Sequence, residues 1–326
     1  MIVATACQNN GKQSDTASPE GATAMSSDES KPEGVAPFTI QVGSKWQNGG
    51  EWYEVEKSED GNGFVFRGGS THEGGFFINM KPIADDKYEA QRPDWEGTFT
   101  AESKTVDGTP CIIIRDQEKK VKSVMIENKK DDVGLREYIC KVLARRLAGN
   151  YTDSKGERWV LTADQKYQAG SQKGQYKFEE EFDTPVMTIT MENGRHWMLK
   201  VNDGDIEMIP ASSDENGEVW EEVPEEHIYL TLLPEETKKW RYPWTSTQVL
   251  TVGDVAGYSK DELRIIRNEI WARHGYNFQS DDLKKRFSAV TSYKPVANND
   301  DVKLTATESL NVEVIKYAES LPDEEN

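Results

Sequence analysis

Hydrophobic and polar positions alternate with a period of two through most of the chain as far as Leu233, and a helical period replaces it in only two stretches. Trp52-Tyr53-Glu54-Val55-Glu56 runs into Glu59-Asp60-Gly61-Asn62-Gly63 and then Phe64-Val65-Phe66-Arg67, which reads as strand, turn, strand. Phe76 to Met80, Thr98 to Ala101 and Cys111 to Ile114 continue the series, with Asp107-Gly108 as a turn. Val121 to Ile126 alternates again, imperfectly. Short strands joined by Gly, Asp and Asn turns predict an antiparallel meander over residues 38–132, closed or sandwiched to hide its edges.

The first helical stretch is at 133–149, where Leu135, Ile139, Val142, Leu143 and Leu147 share a face and Gly149 stops the helix. Arg136, Lys141, Arg145 and Arg146 ride on it, and they read as the solvated side of a plug or linker helix, with an anion site as the alternative. The period of two resumes over 150–235. Val186 to Met191 alternates up to the hairpin signal Asn193-Gly194, and Trp197 to Val201 answers it. In pattern alone this unit is similar to the lipocalin-like barrels of envelope lipoproteins. The two β units open alike, as two copies of one fold would, although no residue-by-residue alignment emerges. Trp240, Tyr242 and Trp244 mark a packed joint between the second β unit and the C-terminal segment.

Residues 245–322 read as three short helices. Ser259 with Glu262, and Thr305 with Glu308, are capping boxes. Leu263, Ile266 and Ile270 fall on one face, Gly275 ends that helix, and Ser280 opens the next with Leu283 and Phe287. The fold class expected is therefore α+β and multidomain: antiparallel β-barrel or sandwich-like units followed by a small three-helix module. The run Leu263 to Gly275, with Phe278, Leu283, Phe287, Tyr293-x-Pro295 and the set Leu304, Glu308, Asn311, resembles the YARHG domain family. Trp271 stands where that family usually has tyrosine, and Ser292 where a tryptophan commonly precedes Tyr293. The resemblance implies a bacterial, extracytoplasmic module without assigned biochemistry, and it lends no catalytic residues.

Charge and the N-terminus narrow the setting. Fifty-eight acidic against thirty-nine basic side chains leave −19, which repels phosphate backbones and argues against nucleic acid as a partner. Ile2-Val3-Ala4-Thr5-Ala6-Cys7 reads as the end of a lipoprotein signal, with Cys7 as the lipidated residue. A polar tether continues from it as far as residue 37. The expectation is a cell-envelope lipoprotein held to the membrane by lipid, with a cell-wall or surface glycan, or a protein, as its partner.

Chemistry is sparse in this sequence. It contains no phosphate loop, no His-Glu-x-x-His and no Gly-x-Ser-x-Gly, so no cofactor and no catalytic residue is assigned. His72-Glu73, in a Gly-rich turn, is the best isolated metal or acid/base candidate, with an exposed loop pair as the alternative, whereas Asp60-x-Asn62 and Asp203-x-Asp205 lack the ~12-residue spacing of a calcium loop and read as plain turns. Cys111 and Cys140 read as two buried thiols, a disulfide being the alternative. Arg267, Asn268, Trp271, Arg273 and His274 form the candidate site. Either they knit the helices together, with Arg267 on Glu308, Glu269 or carbonyls near Pro295, or Trp271, Arg273 and His274 line a groove for a glycan or peptide. The function expected is non-catalytic binding or scaffolding, against a carrier with a hollow barrel or a glycan-acting hydrolase.

Overall fold

The computed structural model describes residues 35–69, 76–128, 135–181, 184–202, 204–213, 219–221 and 226–322. After the short β1 (Val35–Pro37) come β2 (Lys45–Asn48), β3 (Glu51–Lys57), β4 (Phe64–Gly69) and β5 (Phe76–Ala84). They continue into β6 (Lys87–Gln91), β7 (Phe99–Val106), β8 (Thr109–Arg115) and β9 (Val121–Glu127). Each strand from β2 to β9 pairs antiparallel with the next, and β2 pairs with β9, so eight strands close into an up-and-down barrel. Closure leaves no free edge on the ring. Trp46, Tyr53, Phe66, Ile78, Met80 and Met125 fill its interior.

β8 shows why one stretch lost the alternation. Ile112 and Ile114 point into the barrel core, while Cys111 and Ile113 join a different core on the outside. A strand covered on both faces has no polar face to display. In β9 the pairing shifts between Ile114 and Arg115, whose partners are Ser123 and Val121. That bulge explains the imperfect pattern there. β6, which the sequence reading does not single out, alternates in the same way and buries Tyr88 and Ala90.

The second barrel repeats the plan. β10 (Gly149–Thr152), β11 (Arg158–Leu161), β12 (Lys166–Ala169) and β13 (Gln172–Glu181) lead into β14 (Thr184–Met191), β15 (His196–Asn202) and β16 (Asp205–Ser213). β17 (Val219–Glu221) adds to β16, and β18 (Ile228–Leu232) closes the ring between β16 and β10. Both barrels are thus eight-stranded antiparallel rings. They resist alignment because their second strands are out of phase by one residue, which exchanges the faces of a strand. Trp52 of β3 stands outside at 55% exposure, whereas Trp159 of β11 stands inside at 6%. Between the barrels lies α1 (Leu135–Leu147), which buries Ala144 and Leu147 in the second core. No disulfide joins Cys111 to Cys140, since Cys111 packs in one core and Cys140 against another.

α2 (Lys260–Arg273), α3 (Asp281–Ser288) and α4 (Ala306–Ser320) form the helical module, preceded by 3-10 turns at Pro243–Ser246 and Val252–Val255. Leu263, Ile266 and Ile270 of α2 meet Val314, Ile315 and Ala318 of α4, and this core continues onto Cys111, Ile113 and Val124 of the first barrel. Among the described residues no helix is long and apolar enough to cross a membrane.

Candidate functional site

Both capping boxes form as the spacing requires: Ser259 with Glu262 starts α2, and Thr305 with Glu308 starts α4. Gly275 ends α2 at φ 80°, and a Cβ there would stand 2.5 Å from the Lys294 carbonyl oxygen, so only glycine fits. These stops aim the last turn of α2 at the first turn of α4.

A buried polar network occupies the space between them. Arg273 donates from Nε to Ser246 Oγ at 2.8 Å, from Nη1 to Glu269 at 2.7 Å and to the Tyr242 carbonyl at 3.2 Å, and from Nη2 to Thr245. The Glu269 carboxylate also accepts the backbone N–H groups of Tyr242 at 2.7 Å and Arg241 at 2.9 Å. His274 Nε2 lies 2.7 Å from Glu308, which additionally accepts Ser246 Oγ and the Thr305 N–H. Asn311, fully buried, accepts from Leu250 N–H and donates to the carbonyls of Thr245 and Gln248, each at 2.8 Å. Arg273, Glu269, Glu308 and Asn311 fasten the segment 241–250 to α2 or α4, and His274 ties the end of α2 to the start of α4.

The electrostatics follow from burial and partners. Burial lifts the Glu269 carboxyl above its usual range, against the pull of Arg273 and the two backbone donors. Burial acts on Glu308 in the same direction, but the hydrogen bonds from Ser246, Thr305 and His274 prevail and hold it below that range.

The remaining candidates divide differently from either sequence reading. Arg267 bonds Glu319 at 2.8 Å, a correction to the partners expected from Glu308, Glu269 or the Pro295 loop, because α4 runs antiparallel beside α2 and presents its last turn there. Asn268, 2% exposed, donates back to the Arg264 carbonyl at 2.8 Å. Trp271 packs against Tyr276 with ring centroids 5.7 Å apart. Arg273 turns into the network, and His274 sits over Glu308. Cys7 and His72-Glu73 lie outside the described residues. Asp60 accepts from Ser58 and from Asn62 N–H within its own turn, and Asp205 accepts the Leu232 N–H at 2.8 Å.

α1 requires another correction. Arg145 and Arg146 are docked instead of solvated. The Arg145 guanidinium lies 3.8 Å from the Trp244 ring centroid and bonds Asp254 at 3.2 Å. Arg146 lies 4.8 Å over Tyr258 and bonds Glu262 at 3.1 Å. Planar cations sandwiched between a ring and a carboxylate are the use to which arginine is suited. The module also grips the first barrel. Asp107, at the β7–β8 turn, accepts both the Thr307 N–H at 2.9 Å and its hydroxyl at 2.7 Å, adding a carboxylate to the N-terminus of α4. Arg115 pairs with Glu313. Gly49 and Gly253 touch backbone to backbone, since a Cβ on Gly253 would stand 2.4 Å from the Gly49 Cα.

Two hollows border this docking. One, of about 180 Å³, lies between β7, β8 and α4 and is lined by Val106, Ile113, Arg115, Leu310 and Glu313. The other, of about 120 Å³, lies where the barrel, α1 and the module meet, with Gln47, Tyr138, Thr251 and Asp254 on its walls. No group of three His, Cys, Asp or Glu that could hold a metal ion occurs among the described residues.

Neither the curated proteins nor the solved structures contain a match to this chain. The YARHG domain family matches residues 238–320, which takes in the Trp240–Trp244 joint as well as the three helices. The segment that gathers Glu269, Arg273, His274, Glu308 and Asn311 into one network is a YARHG domain.

Proposed function

We propose that the protein is a non-catalytic binding or scaffolding protein of the cell envelope, in which the YARHG domain is a bracket that holds two β-barrels as one body. The observation that carries this reading is the inward turn of the domain's signature side chains. Arg273, Glu269, His274, Glu308 and Asn311 are used on internal bonds, while the outer surfaces of the domain grip β8, β9 and α1. YARHG domains are typical of extracellular and periplasmic proteins. Anchoring through lipid on Cys7 belongs to the same proposal, as does a glycan or protein partner met by the barrels.

Hydrogen exchange on the full chain tests the bracket. Gly253→Ala adds one methyl where two backbones touch. Exchange is expected to rise together in β8, β9, α4 and the domain around them. A rise confined to the residues beside Gly253 would sink the bracket. The anchor is tested in the producing cell, from the native gene, by incorporation of a labelled fatty acid. Label lost in Cys7→Ser supports it, and an unlabelled wild-type chain recovered from the cytosol refutes it.

A further inference from the structure

The two barrels treat their inward tryptophans differently. In the first, Trp46 donates its indole N–H to Ser44 Oγ at 2.8 Å. In the second, the buried hydroxyls are answered too: Tyr151 donates to the Leu147 carbonyl at 2.8 Å and Tyr176 to the Thr162 carbonyl at 3.1 Å. Trp159 and Trp197 are the exceptions. They are 6% and 2% exposed, and each buries its indole N–H with no acceptor among the described residues.

Their positions are related by the topology. In the ring β10 to β16 closed by β18, β11 and β15 stand four places apart among eight, so the two side chains come from opposite walls. Alternate strands of an up-and-down ring run the same way, and each tryptophan is the second residue of its strand. Both therefore sit one residue inside the same rim. Both also face inward, because Trp159 pairs in register with Tyr151 and Ala169, and Trp197 with Ile189, all of them core residues of this barrel. Deeper in the barrel than Trp197 the core is apolar, with Leu199 and its partner Met208. At the rim, the Arg195 guanidinium lies 4.8 Å from the Trp197 ring centroid and 3.5 Å from the exposed Glu226 carboxylate, which an anionic head would displace.

A buried N–H without an acceptor is costly, because the water it gave up has not been replaced. Two such donors at one rim, with a cation beside them and apolar side chains beneath, describe a site short of an oxygen. We propose that this end of the second barrel binds a small, mostly apolar molecule headed by an oxygen acceptor, a carboxylate or sulfonate, that takes hydrogen bonds from Trp159 and Trp197. Arg195 supplies the charge that favours an anionic head, and the closely packed core side chains beneath part to admit the apolar body. This goes beyond the bracket and does not rest on it, so the two can fail separately.

Indole N–H resonances of the ¹⁵N-tryptophan-labelled full chain provide the test, with 8-anilinonaphthalene-1-sulfonate as the probe. The chain has nine tryptophans. Trp159→Phe and Trp197→Phe each remove one signal and so assign it; where one variant does not fold, contacts from the ring to Tyr151 or Ile189 assign it instead. The expected result is that these two signals move downfield along one saturation curve while the others stay. Trp159→Phe/Trp197→Phe should bind the probe at least about tenfold more weakly, the loss expected from two missing hydrogen bonds. Equal binding by the double variant, movement of other tryptophans in place of these two, or both N–H groups resting on a buried water that the probe leaves undisturbed would overturn the proposal.

Discussion

Arg273→Ala isolates the bond on which the YARHG network turns. The side chain serves Glu269, Ser246, Thr245 and the Tyr242 carbonyl at once, and the Glu269 side chain is only 4% exposed. Removing one partner of a buried ion pair typically costs about 3–5 kcal/mol, because the other charge stays out of water. The lower end applies here, about 3 kcal/mol, since Glu269 keeps two backbone donors. At the roughly 2–4 °C per kcal/mol of a cooperative unit of about 150–250 residues, such as the domain unfolding together with one barrel, that corresponds to a Tm lower by about 6–12 °C. The assay is urea and thermal unfolding of the full chain as wild type, Arg273→Ala, Glu269→Gln and the double variant. The cycle should return a coupling energy of about 2 kcal/mol, because the second change harms little once the first is made. Arg273→Lys should fall between wild type and alanine. An ammonium can meet Glu269, but it cannot reproduce the planar fork that also reaches Ser246 and Thr245. A loss below about 1 kcal/mol with coupling near zero would make Arg273 a spectator and refute the bracket's internal logic.

The other predictions concern pH, a backbone stop and the barrel interface. Glu308 titrates below its usual range in the folded chain, so its contribution is fully present above the unfolded value of about 4.3 and is lost as pH falls beneath it. Glu308→Gln should therefore flatten the fall of Tm between about pH 5 and 3; an unchanged slope would contradict the assignment. Glu269, raised by burial, has the opposite sign: its ionisation opposes folding as pH rises, and Glu269→Gln should remove that component. Gly275→Ala forces a side chain into φ 80° and against the Lys294 carbonyl, and should cost more than the roughly 1–2 kcal/mol of left-handed strain alone. Urea midpoints read it, and a change under about 0.5 kcal/mol would mean the loop yields freely. Asp107→Ala should cost about 1 kcal/mol and speed hydrogen exchange at the Thr307 amide, the group it caps from the barrel side. An unprotected Thr307 amide in the wild type would show that this cap does not form in solution.

Much of the architecture was legible in the sequence because local chemistry and tertiary structure agree at those points. The capping boxes at Ser259 and Thr305 and the stop at Gly275 are satisfied within a few residues, so spacing alone reveals them. The helix at 135–147 and the two β units are legible for the same reason. What stayed hidden is what depends on a second surface. Trp159 and Trp197 look like any strand aromatics in the sequence, and only the closed ring places them on opposite walls at one rim. Arg145 and Arg146 look solvated until Trp244 and Tyr258, about a hundred positions later, are laid against them. Arg267 has several acidic residues within plausible reach, and only the antiparallel course of α4 selects Glu319.

One signal in the sequence did report a distant surface. The run Cys111-Ile112-Ile113-Ile114 has no polar face, although it belongs to an antiparallel barrel whose outer wall normally meets water. The outward pair Cys111 and Ile113 packs into the same core as Leu263, Ile266 and Ile315 of the YARHG domain. An uninterrupted apolar strand in an otherwise alternating barrel thus locates the wall on which another domain docks. Strand β11 of the second barrel carries a shorter run, Trp159-Val160-Leu161, with a single outward apolar position: Trp159 and Leu161 face inward, and Val160 between them is only half-buried. If the rule holds, Ile113→Thr should weaken docking of the domain and leave the first barrel folded, because Ile112 and Ile114 still fill its interior. Loss of the barrel itself in that variant would mean that the wall and the lumen are not separable, and that barrel and YARHG domain fold as a single unit.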